Sequence, residues 1–274
     1  MTTQTQEAKD KYIFRGTNKQ KGRTNAISPE NSLMKHLAYG RIMLDMEVPS
    51  AEFQSAEREI GLICMSGNCS IDVDGEQKRI DQYDSIYIPR DSTVRISTDS
   101  SVDLAECSAE VENKYPLQVV RYTDVKDNSS LSFDTGTENN RRRVNITLGK
   151  NIDAGRILAG FTTSEPGNWT SFPPHEHAEM LEELYVYYDM PAPAFGIQLV
   201  YSNTDEPEFV GIVHDGDAVV MPKGFHPNVS VPGHSINFLW MMAAHREKED
   251  RQFGVVNVQP GFDKGGTGLE ASRK

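Results

Sequence analysis

The chain has 274 residues, enough for one large domain or two small ones. Its 28 Lys and Arg against 40 Asp and Glu give a formal net charge of −12, which argues against nucleic acid or anionic membrane as general partners. No apolar run approaches the ~20 residues that span a bilayer, and the Thr-, Gln- and Lys-rich start lacks the apolar core of a signal peptide, so a cytoplasmic protein is expected.

Residues 1–24 are polar and are expected to be a flexible terminus. Short alternating apolar runs follow, at Ile42–Val48, Glu59–Cys64, Ser70–Gly75 and Asp84–Pro89, separated by Gly, Asn, Asp and Pro. That spacing predicts strands of a sandwich or barrel, and helical periodicity is scarce. Three cysteines, Cys64, Cys69 and Cys107, have no zinc spacing and read as reduced thiols. The polar segment from Asp127 to Glu138 is the expected boundary between one barrel at 25–126 and a second at 139–260. Arg141-Arg142-Arg143 is the one basic cluster. It abuts an apparent strand, Val144–Leu148, whose alternation turns Arg142 to one face and Arg141 and Arg143 to the other.

His175-Glu176-His177 comes next. In a strand, side chains at i and i+2 share a face, so both imidazoles can reach one ion. The prolines of the preceding Ser-Phe-Pro-Pro keep the chain extended. Ala178–Glu182 reads as a turn and Glu183–Tyr188 as a strand, a hairpin that folds an acidic residue back beside the histidines. Alternation groups Glu183 with Tyr185 and Tyr187, and Glu182 with Leu184, Val186 and Tyr188. The more polar face suits a wet cavity, which favours Glu183 as a ligand, with Glu182 as the alternative. Further on, the stretch from Gly216 to His226 is a turn, a buried apolar run, a second turn and a histidine. Gly216 and Gly224 permit backbone angles that other residues avoid, and Pro222 stiffens the turn that presents His226. From residue 261 on, a Gly-rich tail is expected to be flexible.

The chain also repeats itself. Asp84–Arg90 echoes Asp217–Lys223 at an offset of 133 residues, which puts Thr93 where His226 stands. Glu59–Gly67 loosely echoes the strand from Glu183, yet residues 50–58 contain no histidine. Two tandem barrels follow, the first without a metal site. In the second, His175, His177, Glu183 and His226 are the expected ligands of one divalent metal per chain. Zn2+ or Mn2+ leads, and Fe2+ and Ni2+ tolerate the same donors.

These motifs resemble the cupin superfamily, with H-x-H, then Glu, then G-x5-P-x-G and a nearby His. Within it they are similar to the family of 5-deoxy-glucuronate isomerase and 5-keto-4-deoxyuronate isomerase. Gly167–His177, Leu181–Tyr185, Asp215–Pro227, Trp240–Ala243 and, near the start, Ser28–Asn31 carry the resemblance, which spans roughly 25–260. It implies an all-β fold of tandem double-stranded β-helix barrels, a bicupin, and a divalent metal on the four residues named above. It also matches Arg142 to an arginine of the inositol enzyme. The loop between His177 and Glu183 is short, as in the pectin enzyme, so the resemblance carries the metal site better than the substrate.

Such a site suits an aldose–ketose isomerisation. A Lewis acid acidifies the C–H beside a carbonyl and stabilises an enediolate, and one proton moves between adjacent carbons. The resemblance implies 5-deoxy-glucuronate converted to 2-deoxy-5-keto-gluconate. The other readings are an isomerase of another anionic sugar, such as a sulfonated hexose or 5-keto-4-deoxyuronate, an oxygen-using cupin, and a non-catalytic sugar-binding cupin. Tyr185, Lys223 and Glu182 are the candidates for the proton shuttle, Tyr185 first because alternation aims it inward. Arg142 is the candidate clamp for the substrate's anionic group. A homo-oligomer is expected.

Overall fold

The computed structural model describes residues 11–262. Among them the chain is all-β, with one five-residue helix, Tyr122–Lys126. The tail expected from residue 261 on lies outside the described residues but for residues 261–262, as do residues 1–10.

In the first half a six-stranded sheet runs in the order Gln118–Val120, Ser85–Ile88, Arg58–Gly67, Val102–Glu110, Ala38–Leu44, Gly22–Ile27. A four-stranded sheet, Ser50–Gln54, Thr93–Ser97, Cys69–Val73, Glu76–Ile80, covers one of its faces. Ile42, Leu62, Ile71, Ile86, Ile96 and Leu104 fill the space between them. The second half repeats the plan. Its seven-stranded sheet runs Ile13–Phe14, Ala218–Met221, Leu181–Tyr187, Asn237–Ala244, Ile157–Ser164, Arg142–Leu148, Ser132–Thr135. Its four-stranded sheet runs Trp169–Thr170, Asn228–Ser230, Gly196–Val200, Phe209–Val213.

The two large sheets pack face to face. Leu148, Ile157, Leu184, Val186 and Met241 from one meet Tyr39, Ile63, Tyr87 and Cys107 from the other. A sheet covered on both faces buries both parities of its strands, and all seven residues of Leu181–Tyr187 are buried. Leu184 and Val186 face the other half, while Tyr185 and Tyr187 face their own barrel. The three cysteines are free and buried.

Strand register places the repeat more finely than sequence does. Ile60 pairs with Ile88, and Glu183 with Met221. Since Ile88 and Met221 correspond, Ile60 stands where Glu183 stands, and Glu59 is the counterpart of Glu182. Both of these glutamates point into the seam between the halves. Glu59 accepts hydrogen bonds from the N–H groups of Gly155, Arg156 and Ile157 at 2.6–2.7 Å, and from the Tyr87 hydroxyl. Glu182 accepts from the N–H groups of Lys35, His36 and Leu37 at 2.6–2.7 Å. Each half thus satisfies three backbone donors of the other with one buried carboxylate.

Two stretches differ from expectation. Residues 11–24, read as a flexible terminus, are structured: Ile13–Phe14 forms the edge of the second half's large sheet against Val219 and Ala218, and Gly22–Ile27 the edge of the first. Arg15 and the Gly16 N–H bind Asp217 at 2.7 and 3.0 Å, as Arg121 and the Tyr122 N–H bind Asp84 at 2.6 and 2.8 Å. The polarity of the first stretch misleads because edge strands and turns need few apolar residues. The expected boundary, 127–138, contains the strand Ser132–Thr135, whose partner is Arg142–Leu148.

Candidate metal centre

The turn after His177 closes with the Met180 and Leu181 N–H groups donating to the His177 carbonyl at 3.0 and 2.9 Å. The strand Leu181–Tyr187 then carries Glu183 back toward the histidines. The short strand His175–Glu176 pairs with Asn257–Val258 rather than with Leu181–Tyr187, so the return is a tight turn and not a hairpin. On the neighbouring strand, Ala218–Met221 runs into the Pro222–Gly224 turn, where Gly224 adopts a positive φ of 95° and His226 follows.

This brings His177, Glu183 and His226 together, all buried, with one potential ligand atom from each within 4.8 Å of the others. His177 Nε2 is 2.9 Å and His226 Nε2 3.1 Å from the same oxygen, Glu183 Oε2. His175, half-buried, stands at the edge of the group, its ring centroid 5.0 Å from that of His226 and 6.3 Å from that of His177.

Backbone carbonyls select the ring tautomers. Nδ1 of His175 lies 2.8 Å from the Pro173 carbonyl, Nδ1 of His226 2.8 Å from that of Gly224, and Nδ1 of His177 3.3 Å from that of Leu181. A carbonyl only accepts, so each Nδ1 carries a proton; His177 Nε2, 2.9 Å from the Glu183 carboxylate, is also placed to donate. The 3.1 Å approach of His226 Nε2 to Glu183 is not aligned as a hydrogen bond, and this buried nitrogen has no hydrogen-bond partner. An orphaned imidazole nitrogen beside a carboxylate fits a divalent cation.

The charges agree for two of the donors; at His177 burial lowers the pKa, but the charge and hydrogen bond of Glu183 raise it on balance. Burial raises the Glu183 pKa, but the charge and hydrogen bond of His177 and the proximity of His226 outweigh it and hold the carboxyl at about 2. Burial, and then the His226 and His177 imidazoles, push His175 well below the ordinary imidazole value. The carboxylate and the neutral His175 are the forms that bind metal.

Glu182 is no competitor for this role, because its carboxylate faces the seam and is taken up by Lys35, His36 and Leu37. The same contacts remove it as a proton shuttle. Lys223 also lies apart: it is exposed and borders a surface groove with Tyr12, Leu33 and Lys35. The turn that aims His226 inward aims Lys223 outward. Tyr185 does face the barrel interior, its ring centroid 5.9 Å from that of His226 and its hydroxyl 2.7 Å from Ser171 Oγ. Burial, then the charge of Glu183, raises its pKa well above 10, which keeps it a phenol. Tyr185 is therefore an acid and hydrogen-bond donor here, not a resting base.

Arg142 turns inward while Arg141 and Arg143 are exposed. Its guanidinium donates to the carbonyls of Asn140 and Phe172, both at 2.8 Å. Among the described residues no carboxylate pairs with it, and burial lowers its pKa to about 10. Arg143, by contrast, is paired with Asp134 at 2.8 Å.

Sequence reading missed a polar wall in the same barrel. Thr170, Ser171, Gln198 and Asn228 are all buried. The available signal was parity: Gln198 sits at an inward position of the otherwise apolar strand Gly196–Val200, and Asn228 and Ser230 at the inward positions of Asn228–Ser230.

The profile of the KduI/IolB family matches residues 12–256. The chain belongs to the KduI/IolB family. Relatives include the 5-deoxy-glucuronate isomerase of Geobacillus kaustophilus, 27% identical over 69% of this chain and 73% of that one. That of Geobacillus thermodenitrificans is 24% identical over 82% of this chain and 86% of the relative. Among solved structures, an IolB-like protein from Salmonella typhimurium superposes with a TM-score of 0.80 at 22% identity, covering 92% of this chain and 97% of its own. A variant of Bacillus subtilis oxalate decarboxylase superposes with a TM-score of 0.61 at 12% identity, covering 84% and 76%. The KduI/IolB chain therefore has the tandem-barrel, bicupin fold that its sequence motifs resemble.

Proposed function

We propose that this KduI/IolB-family enzyme isomerises 5-deoxy-glucuronate, an open-chain sugar acid, between aldose and ketose. The observation that carries the reading is a pair of features in one barrel: a buried His/Glu donor set with an orphaned imidazole nitrogen, and a buried arginine with no carboxylate partner. The first suits a divalent metal and the second an anionic substrate. Relatives that carry this name supply the substrate.

His175, His177, Glu183 and His226 would hold the ion, Zn2+ or Mn2+ in first place. When bound it supplies a Lewis acid that acidifies the C–H beside the substrate carbonyl. Arg142, whose fork matches a carboxylate, binds the acid end of the substrate and fixes its direction along the barrel. The Tyr185 hydroxyl, oriented by Ser171 at 2.7 Å, donates to the oxygen that gains negative charge as the proton moves. Phe238, tilted against Tyr185 at a centroid distance of 4.2 Å, packs on that side of its ring. The first barrel, whose interior is lined by Ile60, Ile86, Ile88 and Val94, serves in this reading as a structural partner without a metal site.

The same reading places the protein in the cytoplasm as a homo-oligomer. No helix among the described residues is long and apolar enough to cross a membrane. The outer face of the sheet ending in Phe209–Val213 supports self-association: Val210 and Ile212 are 45% and 48% exposed, beside Leu199 and Ile197 in register. The matching face of the first half carries Glu52, Asp72 and Arg95.

Purified protein loaded with single divalent metals tests the reaction. The expected result is interconversion of 5-deoxy-glucuronate and its ketose that continues without oxygen. Turnover of a non-uronate sugar alone would change the substrate, and turnover of no sugar acid with any metal would overturn the reading. Arg142 provides a sharper check. Arg142→Met is expected to raise KM for the sugar acid by roughly a hundredfold, the scale of a lost charge-assisted contact. Its Tm should stay level or rise, because a buried uncompensated cation has been removed. A KM within twofold of the parent would remove Arg142 from the site.

A further inference from the structure

We infer that Asn228 is a substrate-binding residue that sets specificity, its side-chain amide donating a hydrogen bond to a hydroxyl of the sugar chain. The inference rests on the sugar-acid reading above and adds a second contact point to it.

Asn228 is fully buried and opens the strand Asn228–Ser230. It lies opposite Thr170 on one neighbouring strand and Gln198 on the other. Thr170 Oγ1 donates to the Asn228 side-chain carbonyl, but the amide nitrogen Nδ2 has no acceptor. Gln198 does not have this deficit. Its Oε1 accepts from the Tyr187 hydroxyl at 2.6 Å, and its Nε2 donates to the His226 carbonyl at 2.9 Å. A buried amide donor without a partner is rare in folded proteins, because the lost hydration is not recovered. Its usual explanation is a partner that arrives later.

That partner comes through the metal barrel. Asn228 follows His226 by two residues, and both are buried. Thr170, its hydrogen-bond partner, adjoins Ser171, which holds the Tyr185 hydroxyl beside His226. The first half supplies an internal control. Its corresponding strand, Thr93–Ser97, holds the same place in the four-stranded sheet; its buried side chains are Val94 and Ile96, whereas those of Asn228–Ser230 are Asn228 and Ser230. The shared fold packs this wall with apolar residues, and only the barrel holding the histidines has made it polar.

The chemistry of the donor narrows the ligand. A neutral NH2 group seeks a single lone pair. Arg142 is the group suited to the carboxylate, which leaves a hydroxyl or ether oxygen for Asn228. A polyol chain offers such an oxygen at most carbons.

The test compares Asn228→Leu, which keeps the branched shape without the amide, and Asn228→Ser with the parent enzyme, using 5-deoxy-glucuronate for turnover and glucuronate for calorimetric binding. The expected result is a KM and a glucuronate Kd raised about tenfold in Asn228→Leu, with kcat changed less than about threefold. Metal content should be unchanged. Substrate analogues that each lack one hydroxyl identify the contact: the one that weakens the parent most should weaken Asn228→Leu no further. If Asn228→Leu does not fold, Asn228→Ser carries the same measurements. A folded variant with parental KM and Kd overturns the inference and leaves the isomerase reading intact. A parent that binds glucuronate through Asn228 without turning over any sugar acid overturns the isomerase reading and leaves the inference standing. A parent that neither binds nor turns over a sugar acid overturns both.

Discussion

His226→Ala is expected to leave the protein folded and strip it of metal and activity. Metal content should fall below about a tenth of an ion per chain, and kcat/KM by more than about a hundredfold, beyond the loss typical of outer-sphere changes. The reason lies in what the residue lacks: its Nε2 is buried and without a hydrogen-bond partner, a deficit that a cation would meet. Glu183 keeps His177 at 2.9 Å in the variant, so no carboxylate is stranded and the barrel persists. Metal analysis, circular dichroism and turnover decide the matter together. Undiminished turnover in a variant that holds no metal would sink the proposed centre.

The second large effect is on stability. Glu59→Ala should destabilise the protein by about 3 kcal/mol or more, because it leaves three buried N–H groups and the Tyr87 hydroxyl without an acceptor, each an unmet donor costing about 1–3 kcal/mol. Glu182→Ala strands the Lys35, His36 and Leu37 donors and is expected to cost a similar amount. The two differ in what else they do. Glu182 shares its strand with Glu183, so its loss should also weaken metal binding, whereas Glu59→Ala should leave the metal content of the folded fraction unchanged. Denaturant unfolding with metal analysis separates these outcomes. Parental stability in both variants would show that the seam does not depend on the carboxylates.

The seam also shows where sequence reading stops. The pair Glu182–Glu183 is ambiguous in one dimension, because strand parity says only that the two residues face opposite ways. What resolves it is that the strand is covered on both sides, by its own barrel and by the other half. Glu182 meets Lys35–Leu37 across about 150 residues of chain, and Glu59 meets Gly155–Ile157 across about 100. No local pattern encodes such a contact. Glu59 shows the same limit, since its echo of the strand from Glu183 reads one residue out of register until the ladders are known.

By itself the sequence determined the all-β class and the repeat, set Arg142 on the opposite face from Arg141 and Arg143, and singled out His175, His177 and His226 with an acidic residue beside them. These depend on the two-residue period of a strand and on turn residues close in the chain, which are local properties. The tertiary structure decided that Glu183 and not Glu182 joins the histidines, that Lys223 points away, that Tyr185 rests as an acid, and that residues 11–24 complete the sheets. It also revealed Asn228. Each of those outcomes depends on which strands lie side by side and what is buried between them, and burial is a property of the assembled sheets rather than of any segment.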